Sequence, residues 1–251
     1  MIDLLRLQGI RHSFGGLRVL SDVNLRVESA GITGLIGPNG SGKTTLFNII
    51  SGYLVPNGGD VRYEGAVIND ETVQARCRRG LVRTFQTPRL FEQMTVLENV
   101  MVGVTKLTSS NLLQDVLGLS GGKREIERCR AEAEHICHRF DMVKLLDQRA
   151  GKLPAGQRRM VEIARAVAGR PKLLLLDEPS SGLNDNEIES LRSWITSLQN
   201  DGLSILLVSH DMELMSVVQE VHVLYFGEII VSGTMAMIQQ HPKVREVYLG
   251  V

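Results

Sequence analysis

The sequence predicts an α/β fold built on a largely parallel sheet, with an antiparallel β portion towards the N-terminus and a helical insertion in the middle. Three observations carry this. A glycine-rich turn, Gly37 to Thr44, lies between a short apolar run and a helical pattern. Leu173–Leu176 and Ile205–Val208 are unbroken apolar runs, the mark of strands buried on both faces of a parallel sheet. Between about residues 90 and 160 the apolar period lengthens to three and four, as on one face of a helix.

Taken in order, Leu5 and Leu7, then Val23, Leu25 and Val27, alternate with polar residues, the period of half-buried strands. Ser13-Phe14-Gly15-Gly16 supplies the turn between them. Ile32–Ile36 reads as a short buried strand and Thr45–Ile50 as the first turns of a helix. Asp60–Tyr63 reads as a strand within a turn-rich stretch. Ile126, Cys129, Ala133, Ile136 and Phe140 form an apolar helical stripe, with the Arg and Glu residues between them as its solvated face. Segment 105–122 is polar and reads as a loop or insertion. Ile188, Leu191, Ile195 and Leu198 mark another helix face, with Trp194 packing beside it, and Val221–Ser232 reads as a closing hairpin around Phe226-Gly227. There is no internal repeat. The expected organisation is a single domain over 1–251, with a core from 1–86 and 161–251 and a helical part over about 87–160.

Bulk properties narrow the function. The 251 residues are 43% hydrophobic, and 28 basic residues balance 28 acidic ones. A zero net charge argues against a dedicated nucleic-acid binder. Cys77, Cys129 and Cys137 form no CxxC pair, which suits thiols in a reducing compartment. No secretion signal opens the sequence and no apolar stretch approaches membrane-spanning length. The expectation is a soluble cytoplasmic chain that reaches a membrane through partners.

The run Gly37-Pro38-Asn39-Gly40-Ser41-Gly42-Lys43-Thr44 fits the phosphate-binding loop pattern. Its glycines let successive N–H groups point into one concavity. Lys43 places a cation on the outer phosphates, the Thr44 hydroxyl suits Mg²⁺, and the following helix adds its dipole. This chain therefore binds a nucleoside triphosphate. The run 173–176 ends in Asp177-Glu178: an Asp at such a strand end holds Mg²⁺ through water, and the next acid can polarise an attacking water. His210 ends the other apolar run, where it can touch the γ-phosphate. Gln86, in Thr84-Phe85-Gln86-Thr87-Pro88, offers a neutral amide at the junction into the helical part.

Two segments compete for one further motif. Leu119-Ser120-Gly121-Gly122-Lys123 is rejected because it lies in the insertion, runs into charged residues and is far upstream of Asp177. Leu153-Pro154-Ala155-Gly156-Gln157 runs directly into a clear helix. Pro154 suits that helix's first turn, and the amides of Ala155, Gly156 and Gln157 can face a phosphate.

With these motifs in order, the whole chain resembles the nucleotide-binding subunit of an ABC transporter, a P-loop NTPase core with an N-terminal antiparallel β subdomain and a helical subdomain. Val96–Gly103 after Gln86, Ser181-Gly182-Leu183-Asn184 and the ending Val247-Tyr248-Leu249-Gly250 resemble the branched-chain amino acid importer ATPases, a group that also serves urea and short amides. The resemblance implies ATP and Mg²⁺ as cofactors. It implies Phe14 stacked on adenine, the loop 37–44 with Thr45 around the phosphates, and Thr44, Gln86 and Asp177 around the metal. Glu178 would activate water and His210 would hold the γ-phosphate. The 154–157 segment would face a second cassette in a head-to-tail homodimer or heterodimer. Further implied partners are membrane permease subunits and, indirectly, a periplasmic or extracellular binding protein, which would place the chain peripherally on the inner face of the cell membrane.

One departure matters. Pro154 stands where the family's signature carries serine, and Ala155 where it carries glycine. Proline offers neither hydroxyl nor N–H, so slower turnover is expected. Two alternatives remain beside the importer: a lipopolysaccharide-export-type ATPase, and a nucleotide-gated structural or regulatory dimer without hydrolysis. The second rests on Pro154 alone and is opposed by Glu178.

Overall fold

The computed structural model describes residues 3–105 and 121–249. The chain divides into two compact units, one formed by 1–86, 172–181 and 185–251, the other by 87–171 and 182–184.

The first unit holds two sheets. Strands β1 (Asp3–Phe14), β2 (Leu17–Glu28), β4 (Gly58–Tyr63) and β5 (Ala66–Val67) form an antiparallel sheet in the order β2-β1-β4-β5. Phe14 pairs with Leu17 across the Gly15-Gly16 turn, as the sequence predicts. The second sheet contains β3 (Ile32–Ile36), β6 (Leu81–Arg83), β7 (Leu173–Asp177), β8 (Ser204–Val208), β9 (Glu220–Tyr225) and β10 (Glu228–Gly233), in the order β10-β9-β3-β8-β7-β6. All neighbours in it are parallel except the β9–β10 hairpin. Every residue of β7 and β8 is buried, which is why their sequences read as unbroken apolar runs.

Register decides where the chemistry collects. Val208 of β8 pairs with Leu35 of β3 on one side and with Asp177 of β7 on the other. The carboxyl ends of three strands are therefore level, and ligands of open α/β sheets bind at such an edge. Helix α1 (Lys43–Ser51) follows β3 directly, and α2 (Val73–Arg78) precedes β6.

The second unit is helical. Helix α3 (Val96–Thr105) starts in a reciprocal cap: Glu98 Oε2 accepts from the Thr95 N–H at 2.7 Å and Thr95 Oγ1 from the Glu98 N–H at 3.1 Å. Helix α4 (Gly121–Arg139) buries Cys129, Ala133 and Ile136, with Phe140 just beyond it. Ile126, expected on this stripe, is exposed instead; the buried face opens only at Cys129. Helix α5 (Ala155–Ala168) packs closely on α3, because a Cβ on Gly103 would lie 2.1 Å from the Arg165 carbonyl. That packing keeps the whole of α5 in the helical unit, whose first segment runs to Pro171. The expected loop 105–122 lies mostly outside the described residues, with helix at Thr105 and again from Gly121. The rejected segment 119–123 falls partly outside them too.

In the first unit again, α6 (Asp185–Asn200) buries Ile188, Leu191, Trp194, Ile195 and Leu198. Helices α7 (Met212–Met215), α8 (Met235–Gln240) and α9 (Pro242–Leu249) complete it. Of the ending 247–250, only the helical backbone to Leu249 is described. The three cysteines are free, Cys129 and Cys137 buried. Among the described residues, no helix is long and apolar enough to cross a membrane.

Candidate functional site

The loop after β3 wraps a cavity of about 310 Å³ lined by Val19, Asn39, Gly40, Gly42, Lys43, Thr44, Thr45, Gln86, Asp177, Glu178 and Val208. Motifs up to 139 residues apart in sequence, from Asn39 to Glu178, thus meet around one space.

Steric demands explain the loop's glycines. Gly42 caps α1 with φ 107° and Gly40 has φ 80°, backbone that L side chains rarely adopt. A Cβ on Gly37 would lie 2.1 Å from the Leu224 carbonyl. The loop is also braced from the C-terminal hairpin, where the Gly227 N–H donates to the Ser41 carbonyl at 3.1 Å. Lys43 curls over the loop and donates to the carbonyls of Gly37 at 2.6 Å and Pro38 at 3.0 Å. Burial holds its ammonium below the ordinary lysine value, opposed by the carboxylates of Glu178 and Asp177. The Ser41 hydroxyl is buried without a hydrogen-bond partner among the described residues.

Glu178 sits one residue beyond β7 with φ 49°, a conformation that costs a non-glycine residue roughly 1–3 kcal/mol and clusters at functional sites. Its N–H donates to the Val208 carbonyl at 2.9 Å, and its own carbonyl accepts from Ser181 at 3.2 Å. Glu178 Oε1 lies 3.1 Å from His210 Nε2. Burial raises the Glu178 carboxyl above the usual range. His210 and Lys43 oppose this, and Asp177 adds to it. The serines behind each acid and histidine are tied together, Ser180 Oγ to Ser209 Oγ at 3.1 Å.

Asp177 is buried and paired with Arg83, Nη2 to Oδ2 at 2.7 Å. Arg83 pairs across the sheet with Leu175, so it stands diagonal to Asp177 on the same face. The motif pattern does not announce this arginine; its place beside Asp177 exists only once β6 joins β7.

Oxygen from the Thr44 hydroxyl, the Gln86 amide and the Asp177 carboxylate gives a hard donor set suited to Mg²⁺. With the loop's orphaned Ser41 hydroxyl and its inward lysine, the residues present fit a magnesium nucleotide. Phe14 is half exposed on its hairpin, edge-on to His12 at 4.7 Å, and does not line the cavity. His210 reaches the cavity through Glu178. Pro154 to Gln157 lie in the helical unit. Pro154 is the cap of α5 rather than part of its first turn, without a side-chain cap bond.

Comparison with known proteins matches residues 20–181 to the ABC transporter family model. The chain belongs to the ABC transporter family. Residues 228–251 match a second model, the branched-chain amino acid ATP-binding cassette transporter segment. The high-affinity branched-chain amino acid transport ATP-binding protein BraF of Pseudomonas aeruginosa is 36% identical, over 98% of both chains. LivG of Escherichia coli, with the same description, is also 36% identical over 98% of both. Among solved structures, a nucleotide-free ATP-binding cassette from an ABC transporter gives a TM-score of 0.86 at 31% identity over all of both chains. An ATP-binding cassette of an ABC transporter in its ADP conformation gives 0.85 at 31%, again over all of both chains. A dimeric bacterial ABC transporter cassette gives 0.79 at 25%, over 92% of this chain and 98% of that one. This ABC cassette is thus a nucleotide-binding ATPase subunit, and its two sheets and helical unit are those expected of the family.

Proposed function

We propose that this chain hydrolyses ATP to drive import of branched-chain amino acids or related small nitrogen compounds. The observation that carries the reading is the single cavity shared by Lys43, Thr44, Gln86, Asp177 and Glu178, joined to a C-terminal segment of the branched-chain amino acid type. The loop amides and Lys43 hold the phosphates, and Phe14 offers its exposed ring to the base. Mg²⁺, when bound, would supply charge neutralisation on the phosphate oxygens; Thr44 and Gln86 would hold it directly and Asp177 through water. Glu178, its carboxyl raised by burial and drawn back by His210 and Lys43, takes the proton of the attacking water. His210 then faces the γ-phosphate from beside that base.

The chain pairs with a second copy or a similar second cassette, so that 154–157 of one faces the nucleotide of the other. Permease subunits in the membrane take up the resulting motion, and a binding protein outside delivers cargo to them. This places the chain on the cytoplasmic face. Deleting the chain from its source cell should abolish leucine uptake, with restoration by wild type and not by Lys43→Ala. Uptake that survives deletion would remove the substrate assignment.

Pro154 leaves the signature contact to backbone amides. A neutral hydrogen bond contributes about 0.5–1.5 kcal/mol, so Pro154→Ser is expected to raise ATP turnover about two- to tenfold. Equal steady-state rates for the two proteins would show that the amides already suffice.

A further inference from the structure

Arg83 is a buried cation placed where the elements carrying the metal donors meet. Its side chain is 6% exposed. Nη2 donates to Asp177 Oδ2 at 2.7 Å, while Nη1 donates to Asn48 Oδ1 at 2.7 Å and Ser51 Oγ at 3.2 Å. The guanidinium lies over two rings, 5.4 Å from the centroid of Phe47 and 5.4 Å from that of Phe85. Asn48, Ser51 and Phe47 belong to α1, the helix that opens with Lys43 and Thr44. Asp177 ends β7, and Phe85 immediately precedes Gln86.

We propose that Arg83 is the positioning residue for the metal-holding oxygens. The proposal rests on the reading of the cavity as a magnesium nucleotide site. Oδ2 of Asp177 is spent on Arg83, which leaves Oδ1 as the oxygen for the cavity that Asp177 lines. A carboxylate with one oxygen fixed has one orientation to offer. The same guanidinium fixes α1 through Asn48 and Ser51 and backs the ring beside Gln86, so the three donors are set relative to one another by one planar group.

The chemistry requires arginine. A guanidinium presents donors in a rigid fork and stacks on rings, whereas an ammonium is a compact point charge. Lysine at 83 could satisfy Asp177 or Asn48, not both in this geometry. A buried ion pair is weak evidence for stability, since desolvation offsets the attraction. Positioning is the use that this pair's location supports.

The test separates metal use from nucleotide binding. Binding of a fluorescent ADP analogue to the purified chain is measured in EDTA and then across a Mg²⁺ titration, for wild type, Arg83→Lys and Arg83→Gln. For the variants the metal-free affinity is expected to stay within about twofold of wild type, while the Mg²⁺ concentration giving half the Mg²⁺-dependent change rises about tenfold or more, the usual cost of losing a group that orients a ligand. An unchanged Mg²⁺ midpoint overturns the proposal. So does an equal loss of metal-free binding, which would make Arg83 a scaffold alone. Arg83→Lys retains the charge that Asp177 faces and decides the matter if Arg83→Gln does not fold. Wild type that binds no nucleotide overturns the reading of the cavity itself, a different failure from an unshifted Mg²⁺ midpoint.

Discussion

Glu178→Gln is expected to reduce ATP turnover by about 10²- to 10⁴-fold, the contribution of a positioned general base, with nucleotide binding retained. Glutamine keeps the size of the side chain and an oxygen within reach of His210 Nε2, now 3.1 Å from Glu178 Oε1. It removes the basicity and a carboxylate whose charged form burial disfavours. Stability should therefore hold while catalysis goes. Steady-state hydrolysis and equilibrium nucleotide binding, measured together, check this; turnover within a few-fold of wild type would place the base elsewhere. The acid limb of the wild-type profile carries the same argument. Because burial raises the Glu178 carboxyl, the rate should fall, as pH drops, at a higher pH than the ordinary glutamate value of about 4.3 implies. His210 pulls that carboxyl down, so His210→Ala should move the acid limb of its residual activity further up. A limb that moves down, or stays fixed, would separate Glu178 from the ionisation that controls the rate.

Arg76→Ala is expected to be among the most destabilising single changes in the chain, costing about 3–5 kcal/mol, since it removes several buried hydrogen bonds from a charged donor, each of which contributes about 1.5–3 kcal/mol without strict additivity. Arg76 is 1% exposed. Its Nη1 donates to the carbonyls of Ile49 at 2.6 Å and Ile50 at 2.8 Å. Its Nη2 donates to Ile68 at 2.6 Å and Asn69 at 3.1 Å, and Nε to Glu71 at 3.1 Å. All five guanidinium donors therefore serve backbone carbonyls. Two of those lie in the last turn of α1, where a cation complements the dipole. Gly52, the left-handed cap of that helix, leaves room for the side chain: a Cβ there would lie 3.0 Å from Arg76 Nε. Alanine would remove all five of these bonds at once, leaving the Ile49 and Ile68 carbonyls only the N–H groups of Gly52 at 3.2 Å and Glu71 at 3.0 Å. Against a total stability of about 5–15 kcal/mol, the loss should lower the thermal midpoint by roughly 6–20 °C. Calorimetry on wild type, Arg76→Ala and Arg76→Lys would check it. Lysine, with three donors, should recover part of the loss. A midpoint within a degree or two for Arg76→Ala would mean that water replaces the guanidinium.

The contrast between Arg76, Arg83 and the phosphate loop shows what was legible. That Lys43, Thr44, Asp177 and Glu178 meet around one cavity was legible because it depends on local backbone: a loop that must curl, then a strand that must end there. Spacing along the chain reports such demands directly. The buried strands were readable for the same reason, since continuous apolar runs have few other uses in an α/β chain. Ile126 misled because a helical period names a stripe without saying where along the helix its neighbours begin to cover it.

The sequence by itself determined the strand–loop–helix at the cavity, the acidic strand end, the hairpins and the family. Tertiary structure alone decided that Val208 levels the ends of β3 and β7, that Arg76 and Arg83 are buried rather than solvated, and that α5 belongs wholly to the helical unit. The physical reason is the range of the forces involved. Turn geometry and periodicity act between residues near in sequence. An arginine's place is set by carbonyls and carboxylates that come beside it only after the sheet has formed, 94 residues away in the case of Arg83 and Asp177.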